Sequence, residues 1–533
     1  MKIRTSLLIF LLQISTFYTY SQTLIPVLDD EKWYGGSVNE GHNMPFENGY
    51  ENSLIDFIQG NQATPLLLSN KGRYIWCNTP FSYRLENNQL IISGNTLNID
   101  LQQAGFTLKD AYETVSRRYF PSWGSKPDAL LFSSPQYNTW IELIYNQNQK
   151  DILKYARNII DNGYPPGVLM IDDNWAPYYG KFEFRKDRFP DTKAMIDELH
   201  GLGFKVMLWV CPFISPDTEV FRQLMAEKLL LMSNEGDENL QWKDAKAPVL
   251  VNWWNGYSAV LDFSNPASVE WYDKQLKHMS EYYGLDGFKL DAGDPEYYTN
   301  NVVSYIAGTT ANEHCELFGQ FGLKYPLNEY RAMWKRGGEP LAQRLRDKLH
   351  TWEDLQKLIP HITVSGLLGY AFTCPDMIGG GDYSSFIGNS NMDQELIVRS
   401  AQCHALMPMM QFSVAPWRIL DKEHHDAVKA AVNLRQSFVP EIMALAEKAA
   451  QTGEPIVRNM EYSFPNQGFS ECKDQFMLGE NILVAPMLAK GNLRSVSFPK
   501  GLWQAENGKK YKGGKSYEFD VPLEKLLWFR KIK

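Results

Sequence analysis

Cysteine is scarce: only six occur in 533 residues, and Cys77, Cys211, Cys315, Cys374, Cys403 and Cys472 form no CxxC pair. That spacing excludes a zinc knuckle or a disulfide-stapled scaffold, so mostly buried free thiols are expected. The nine histidines show no HxH or HExxH pattern, and the one adjacent pair, His424–His425, opens a polar helix. A catalytic zinc would want such ligands, so none is expected. Carboxylates alone can hold Ca²⁺ or Mg²⁺, which makes the case against those ions weaker, but no metal is assigned. No GxGxxG opens a helix after a strand, and no Walker loop occurs. No nucleotide or other cofactor is therefore expected. The run Gly379, Gly380, Gly381 lacks that spacing and reads as a loop. A net charge of -9 gives no basic footprint for nucleic acid. Beyond the first residues no apolar stretch approaches about 20 positions, so stable membrane insertion is not expected. Repeats and low-complexity tracts are also missing, and nothing specifies an oligomeric state.

What is present divides the chain. Lys2 and Arg4 precede an apolar run over 7–12, and Thr19 and Ser21 supply small residues before Gln22. Residues 1–21 thus read as an export signal, with a periplasmic or extracellular destination. No cysteine lies near the cleavage point, so lipidation is not supported. Residues 22–128 hold short alternating runs (72–77, 82–85, 89–93 and 96–101) broken by Asn and Gly turns, the pattern of an antiparallel β domain. Residues 129–452 switch to strands followed by amphipathic helices. Strands are expected at 139–143, 167–171, 204–210, 260–263, 287–290, 330–334, 370–373 and 410–414, and a long helix over 424–452. Repeated βα units over some 300 residues suit an α/β fold of the (β/α)₈ barrel type. Residues 453–533 return to short strands and Gly-rich turns, expected as a C-terminal β-sandwich domain.

Barrels of this type place chemistry at the C-terminal ends of their strands. The 167–171 strand runs into Asp172 and Asp173, the 287–290 strand into Asp291 and Asp294, and the 370–373 strand into Asp376. Asp347 follows a basic segment, 344–346, and precedes a helix opening near Thr351. A single Asp chosen this way is more often a helix cap or a surface charge. Several in one barrel, with no His or Cys among them, argue against Ser-His and Cys-His hydrolases. Paired carboxylates without a metal are equipment for splitting a glycosidic bond, one at the anomeric carbon and one protonating the leaving oxygen. Spacing alone does not choose that reaction.

The residues add a resemblance. Residues 287–294 (GFKLDAGD) resemble the nucleophile segment of glycoside hydrolase family 31, with Asp294 where Glu is usual. Asp347 with Trp352 five positions on resembles the acid/base segment, and Arg331 matches the substrate-binding arginine. Segments 187–190, 203–206, 208–209, 474–479, 483–486 and 499–503 are similar in order. Segments 33–36 (WYGG), 171–175 (IDDNW), 253–256 (WWNG) and 375–380 (PDMIGG) are similar to the branch of myogenesis-regulating glycosidase and bacterial α-galactosidases.

The resemblance implies a retaining, exo-acting α-glycosidase working on an oligosaccharide or glycoside, with Asp291 as nucleophile and Asp347 as acid/base. An α-galactoside is the first substrate; an α-glucosidase or α-xylosidase on the same scaffold, or a catalytically dead carbohydrate-binding protein, are the alternatives. Lys289 stands where many α-glucosidases of the family have Trp, and 410–413 (MQFS) where they carry a sugar-binding His, which argues against maltose-type specificity. Asp172 is expected to bind hydroxyls, with Asp173 as the alternate. Trp209 and Trp254 are sugar platforms or plain core rings. Lys289 and Arg331 are expected to hold Asp291 ionised. Asp294 and Asp376 are further binding candidates, and Trp33 is expected to reach the pocket from the N-terminal domain. Arg346 and Lys348 are expected to face outward, leaving burial to raise the pKa of Asp347.

Overall fold

The computed structural model describes residues 20–55, 61–95, 97–298, 301–388 and 392–533. The expected export signal lies outside the described residues except for its last two positions, and so does Thr96 of the expected 96–101 strand. In the N-terminal region one antiparallel sheet joins Tyr20–Pro26, Gln89–Asn95, Ser82–Glu86 and Glu51–Ser53. Its tightest turn holds Asn87 and Asn88 at φ 51° and 57°. Asparagine tolerates that left-handed backbone, so the 86–89 hairpin closes with two residues. A second sheet is built on Gln62–Ser69, paired antiparallel with Trp33–Ser37 and Arg73–Cys77.

The barrel follows. Its strands are β1 (Gln136–Asn138), β2 (Val168–Ile171), β3 (Lys205–Val210), β4 (Gly287–Leu290), β5 (Asn328–Tyr330), β6 (Gln343–Arg344), β7 (Thr373–Cys374) and β8 (Gln411–Phe412). They pair in parallel in the order β7-β6-β5-β4-β3-β2-β1-β8. The ring closes between β7 and β8 by one bridge, Met377 to Gln411. β2, most of β3 and β4 are near-continuous apolar runs buried throughout, as parallel strands covered on both faces must be. Lys289 in β4 is the polar exception, 3% exposed.

Several expected strands move. The 139–143 segment is a short helix, Trp140–Leu143, and the strand lies just before it at Gln136–Asn138. The 330–334 segment divides: Tyr330 ends β5, while Met333–Trp334 leaves the barrel and pairs in parallel with Gln62 and Ala63. The 260–263 segment is no barrel strand, because Gly256–Val260 folds back on Val251–Trp253 as a hairpin outside the ring. β6, two residues long, was not expected at all. The long helix spans Lys422–Thr452, opened by Asp421 accepting from the His424 backbone and closed by Gly453 at φ 75°. A left-handed glycine there is the ordinary helix stop.

Beyond it, six antiparallel strands form a C-terminal sheet, and the ribbon Leu493–Phe498 with Lys515–Asp520 packs on it around Phe498, Trp503, Tyr511 and Phe529. Arg399, 1% exposed on a barrel helix, reaches into this domain and donates to the carbonyls of Gly491, Val521, Pro522, Leu523 and Lys525. All six cysteines are free thiols, five of them buried. Among the described residues no helix is long and apolar enough to cross a membrane.

Candidate active site

At the C-terminal ends of the strands lies a cavity of about 230 Å³. It is lined by Asp172, Asp173, Trp209, Trp254, Lys289, Asp291, Arg331 and Asp347 from the expected set, together with Arg344, Trp140, Tyr145, Met377, Asp382 and Tyr383.

Asp291 directly follows β4, and the chain turns sharply after it through Ala292 (φ 59°) and Gly293 (φ 76°). An alanine in that region stores modest strain, which the buried surroundings hold in place. The Asp291 carboxylate accepts from the Trp209 indole (2.7 Å) and the Ala292 backbone (3.0 Å), with Arg331 Nε 3.8 Å away. Burial pushes its pKa up, but Lys289, Arg331 and Arg344 together outweigh that and hold it below the usual carboxylate range. Arg331 also pairs with the fully buried Asp294 at 3.2 Å and lies 5.0 Å from the centre of the Trp254 ring. Burial nonetheless raises the pKa of Asp294.

Lys289 Nζ donates to Asp172 at 2.7 Å, with side chains 4% and 3% exposed. Burial works against the charge on Lys289, but Asp172 and Asp291 keep it protonated. Asp173 accepts from the Asn174 backbone, the Tyr179 hydroxyl and the Asn255 amide. Burial, reinforced by the charge of Asp172, pushes its carboxyl up to about 7.

Asp347 is held differently from expectation. Arg344 Nη1 donates to it at 2.5 Å and to the buried Asp376 at 3.0 Å. Burial raises the Asp347 carboxyl, yet Arg344, Arg331 and Lys289 outweigh it, so the pKa lies below the usual range rather than above. Arg346 faces solvent as expected, but Lys348 is 5% exposed, with Nζ donating to the Arg346 carbonyl. Arg344 lies three residues back on the strand that Asp347 follows, while Arg331 and Lys289 come from other strands, which sequence neighbours do not reveal.

Asp376 does not line the cavity. It accepts from the backbone of Lys348 (2.8 Å) and Gly381 (3.1 Å), and burial followed by the charge of Asp347 pushes it up to about 7. Gly381 must be small: a Cβ there would fall 2.5 Å from Asp376 Oδ1 and 2.8 Å from Asp347 Oδ1. The glycine loop is thus a close-fitting seat for the Asp347 segment.

Trp33 does not reach the pocket. It is 0% exposed inside the N-terminal sheet, with the Arg73 guanidinium 5.3 Å from its ring centre. The N-terminal region acts instead through Asn61 and Gln62, whose amides donate to the carbonyls of both Arg331 and Arg344. Gln411, in the 410–413 segment that lacks a sugar-binding His, faces the barrel interior and donates to Glu329 at 2.7 Å. Arg344 was legible only as part of a basic segment. Tyr145, Tyr383 and Asp382 carried no pattern that set them apart.

Comparison with known proteins places the chain. Residues 134–445 match the TIM-barrel domain of the glycosyl hydrolases family 31, and residues 453–531 match that family's C-terminal domain. The chain is 30% identical over 434 residues to myogenesis-regulating glycosidase of Mus musculus, covering 79% of this chain and 59% of that protein. It is 26% identical over 492 residues to alpha-glucosidase 2 of Bacillus thermoamyloliquefaciens, covering 85% and 58%. The chain therefore spans just under three fifths of the length of these relatives. In fold it is similar to a Flavobacterium johnsoniae dextranase complexed with glucose (TM-score 0.83, 18% identity, 96% of this chain and 66% of that one). It is likewise similar to an alpha-xylosidase from a soil metagenome complexed with xylose (TM-score 0.81, 23% identity, 96% and 79%). With a barrel model matched over more than half of its residues, this chain belongs to glycosyl hydrolases family 31.

Proposed function

We propose that the chain is a retaining, exo-acting α-glycosidase in which Asp291 is the nucleophile and Asp347 the acid/base. The observation that carries this reading is two carboxylates lining one cavity, each gripped by its own arginine. Asp291 attacks the anomeric carbon as the glycosidic C–O bond breaks, and a proton from Asp347 goes to the leaving oxygen. Water then attacks the glycosyl-enzyme, gives its proton to Asp347 and frees Asp291. Asp291 suits the first step because its cations keep it ionised. The Asp347 side chain is 33% exposed, toward the cavity it lines. A sugar filling that space strips its water, which favours the protonated form the step requires.

An α-galactoside is the favoured substrate. Supporting it is the Lys289–Asp172 pair, which offers a charged donor and acceptor side by side at the strand ends. Relatives named alpha-glucosidase and alpha-xylosidase motivate the second reading, an enzyme for those sugars on the same scaffold. Export directed by residues 1–21 belongs to the same proposal.

The test is a panel of aryl α-galactosides, α-glucosides and α-xylosides with wild type, Asp291→Ala and Asp347→Ala. Cleavage of one sugar is expected, at least 10⁴-fold slower in Asp291→Ala. Asp347→Ala should be slowed most on poor leaving groups. The same protein, made with residues 1–21 and recovered from the exported fraction, should begin near Gln22. Full activity in Asp291→Ala rejects the assignment. Binding of sugar with no cleavage by wild type leaves a carbohydrate-binding protein.

A further inference from the structure

A second cavity, of about 270 Å³, adjoins the first. Asp173 and Trp209 line both, so the two share a wall. One amide holds that wall. Asn255 sits in the two-residue turn of the Val251–Trp253 and Gly256–Val260 hairpin. Its Nδ2 donates to Asp173 Oδ2 at 2.8 Å and to the Tyr179 hydroxyl at 2.7 Å, while its Oδ1 accepts from the Tyr145 hydroxyl at 3.3 Å. Tyr179 completes the set by donating to Asp173 Oδ2 at 3.0 Å. Three separate segments, those after β1, β2 and β3, are thereby tied together beside the pocket. Tyr145 faces the first cavity and Tyr179 the second.

The position of this wall in the ring gives it meaning. Asp173 follows β2 and Asp347 follows β6, four strands apart in an eight-stranded ring, so they stand on opposite sides of the barrel mouth. On the reading proposed above, the leaving group must lie by Asp347. The non-reducing end of the terminal sugar then points at the Asp173 wall. The second cavity is about as large as the first, and aromatic rings, Trp175, Tyr178 and Phe182, line it. Its cations are already paired, Arg185 with Asp187 and Lys181 with Glu219. Asn174, held at φ 74°, has its Nδ2 buried without a partner at this cavity. Rings with an uncommitted amide and no free charge suit a neutral pyranose.

We propose that the Asn255 hydrogen-bond set is the stop that makes the sugar pocket blind at its non-reducing end. The cavity behind it is a latent site for one further neutral sugar unit. This rests on the glycosidase reading, and Asn255 is a positioning residue in it.

The probes are the p-nitrophenyl α-glycoside of whichever hexose the panel selects (galactose first) and its 4,6-O-ethylidene acetal, which caps the non-reducing end. Wild type is expected to favour the uncapped probe at least 100-fold in kcat/KM. Asn255→Ala should narrow that ratio at least tenfold, chiefly through a lower KM for the capped probe. Tyr145→Phe, which removes one hydroxyl, should narrow it less but in the same direction, and keeps the test open if Asn255→Ala unfolds. The inference is overturned if wild type accepts both probes equally, or if neither variant moves the ratio while uncapped turnover persists. If wild type binds the uncapped glycoside without cleaving it, the ratio of binding constants serves instead and only the glycosidase reading falls. If it binds neither probe, both readings fall.

Discussion

Lys289 and Asp172 form an ion pair from which water is almost wholly excluded. Such a pair adds little net stability, because desolvation offsets most of the attraction, but removing one partner strands a buried charge. Lys289→Met is therefore expected to lower the unfolding free energy by about 3–5 kcal/mol. Adding Asp172→Asn should restore much of that loss, and a double-mutant cycle in urea measures the coupling. A result near zero for the single variant would mean that no stranded charge is left behind. Part of this was legible: a lysine inside an apolar strand announces itself. Its partner was not, because the two come from strands two apart in the ring and 117 positions apart in sequence. Asp347 was misread partly for the same reason: Arg331 and Lys289 come to it from the end of β5 and from β4, while Arg344 lies only three positions back and was passed over for Arg346 and Lys348.

Among the elements, β2, β3 and β4 were readable because both faces are buried and the runs are apolar. β8 fell within its expected segment, but β1 was displaced and β6 missed, because these strands are short and their buried residues are polar. Gln136, Gln343, Arg344 and Gln411 are all at most 2% exposed, and bonds such as Gln411 to Gln136 (2.9 Å) and to Glu329 fill the interior in place of apolar packing. Hydrophobic periodicity cannot report strands two or three residues long that are held this way. The glycine loop after β7 was read as a loop, and its reason lies in contact. Gly381→Ala would push a methyl group into the carboxylates of Asp347 and Asp376. A shift of about 1 Å at an acid/base group costs on the order of 10²-fold in rate. We expect kcat to fall by that order on aryl glycosides with poor leaving groups, and less on good ones, with little change in Tm. Equal losses on all leaving groups would place the damage elsewhere.

The whole molecule shows why an N-terminal β region accompanies the barrel. Gln62 is 0% exposed and bonds to the carbonyls of Arg331 and Arg344 at 3.0 Å each, so it sets the separation of the two arginines that hold Asp291 and Asp347. Gln62→Leu is expected to reduce kcat about tenfold, while two lost hydrogen bonds cost about 1–3 kcal/mol of stability. Steady-state kinetics alongside thermal unfolding would separate the two effects. Unchanged kcat with a lowered Tm would make Gln62 purely structural. None of this was legible from the β pattern of residues 22–128, which gives a fold without saying what it touches. The same sheet has a consequence for how the chain is made. Gln62 and Ala63 take their parallel partner from Met333 and Trp334, about 270 residues further on. At about 5–20 residues per second, a ribosome needs on the order of 15–50 s to deliver that partner. For that interval the start of one strand in the nascent N-terminal sheet lacks its parallel neighbour, and the brace for the two arginines is completed only once the sixth barrel strand, which carries Arg344, has been synthesised.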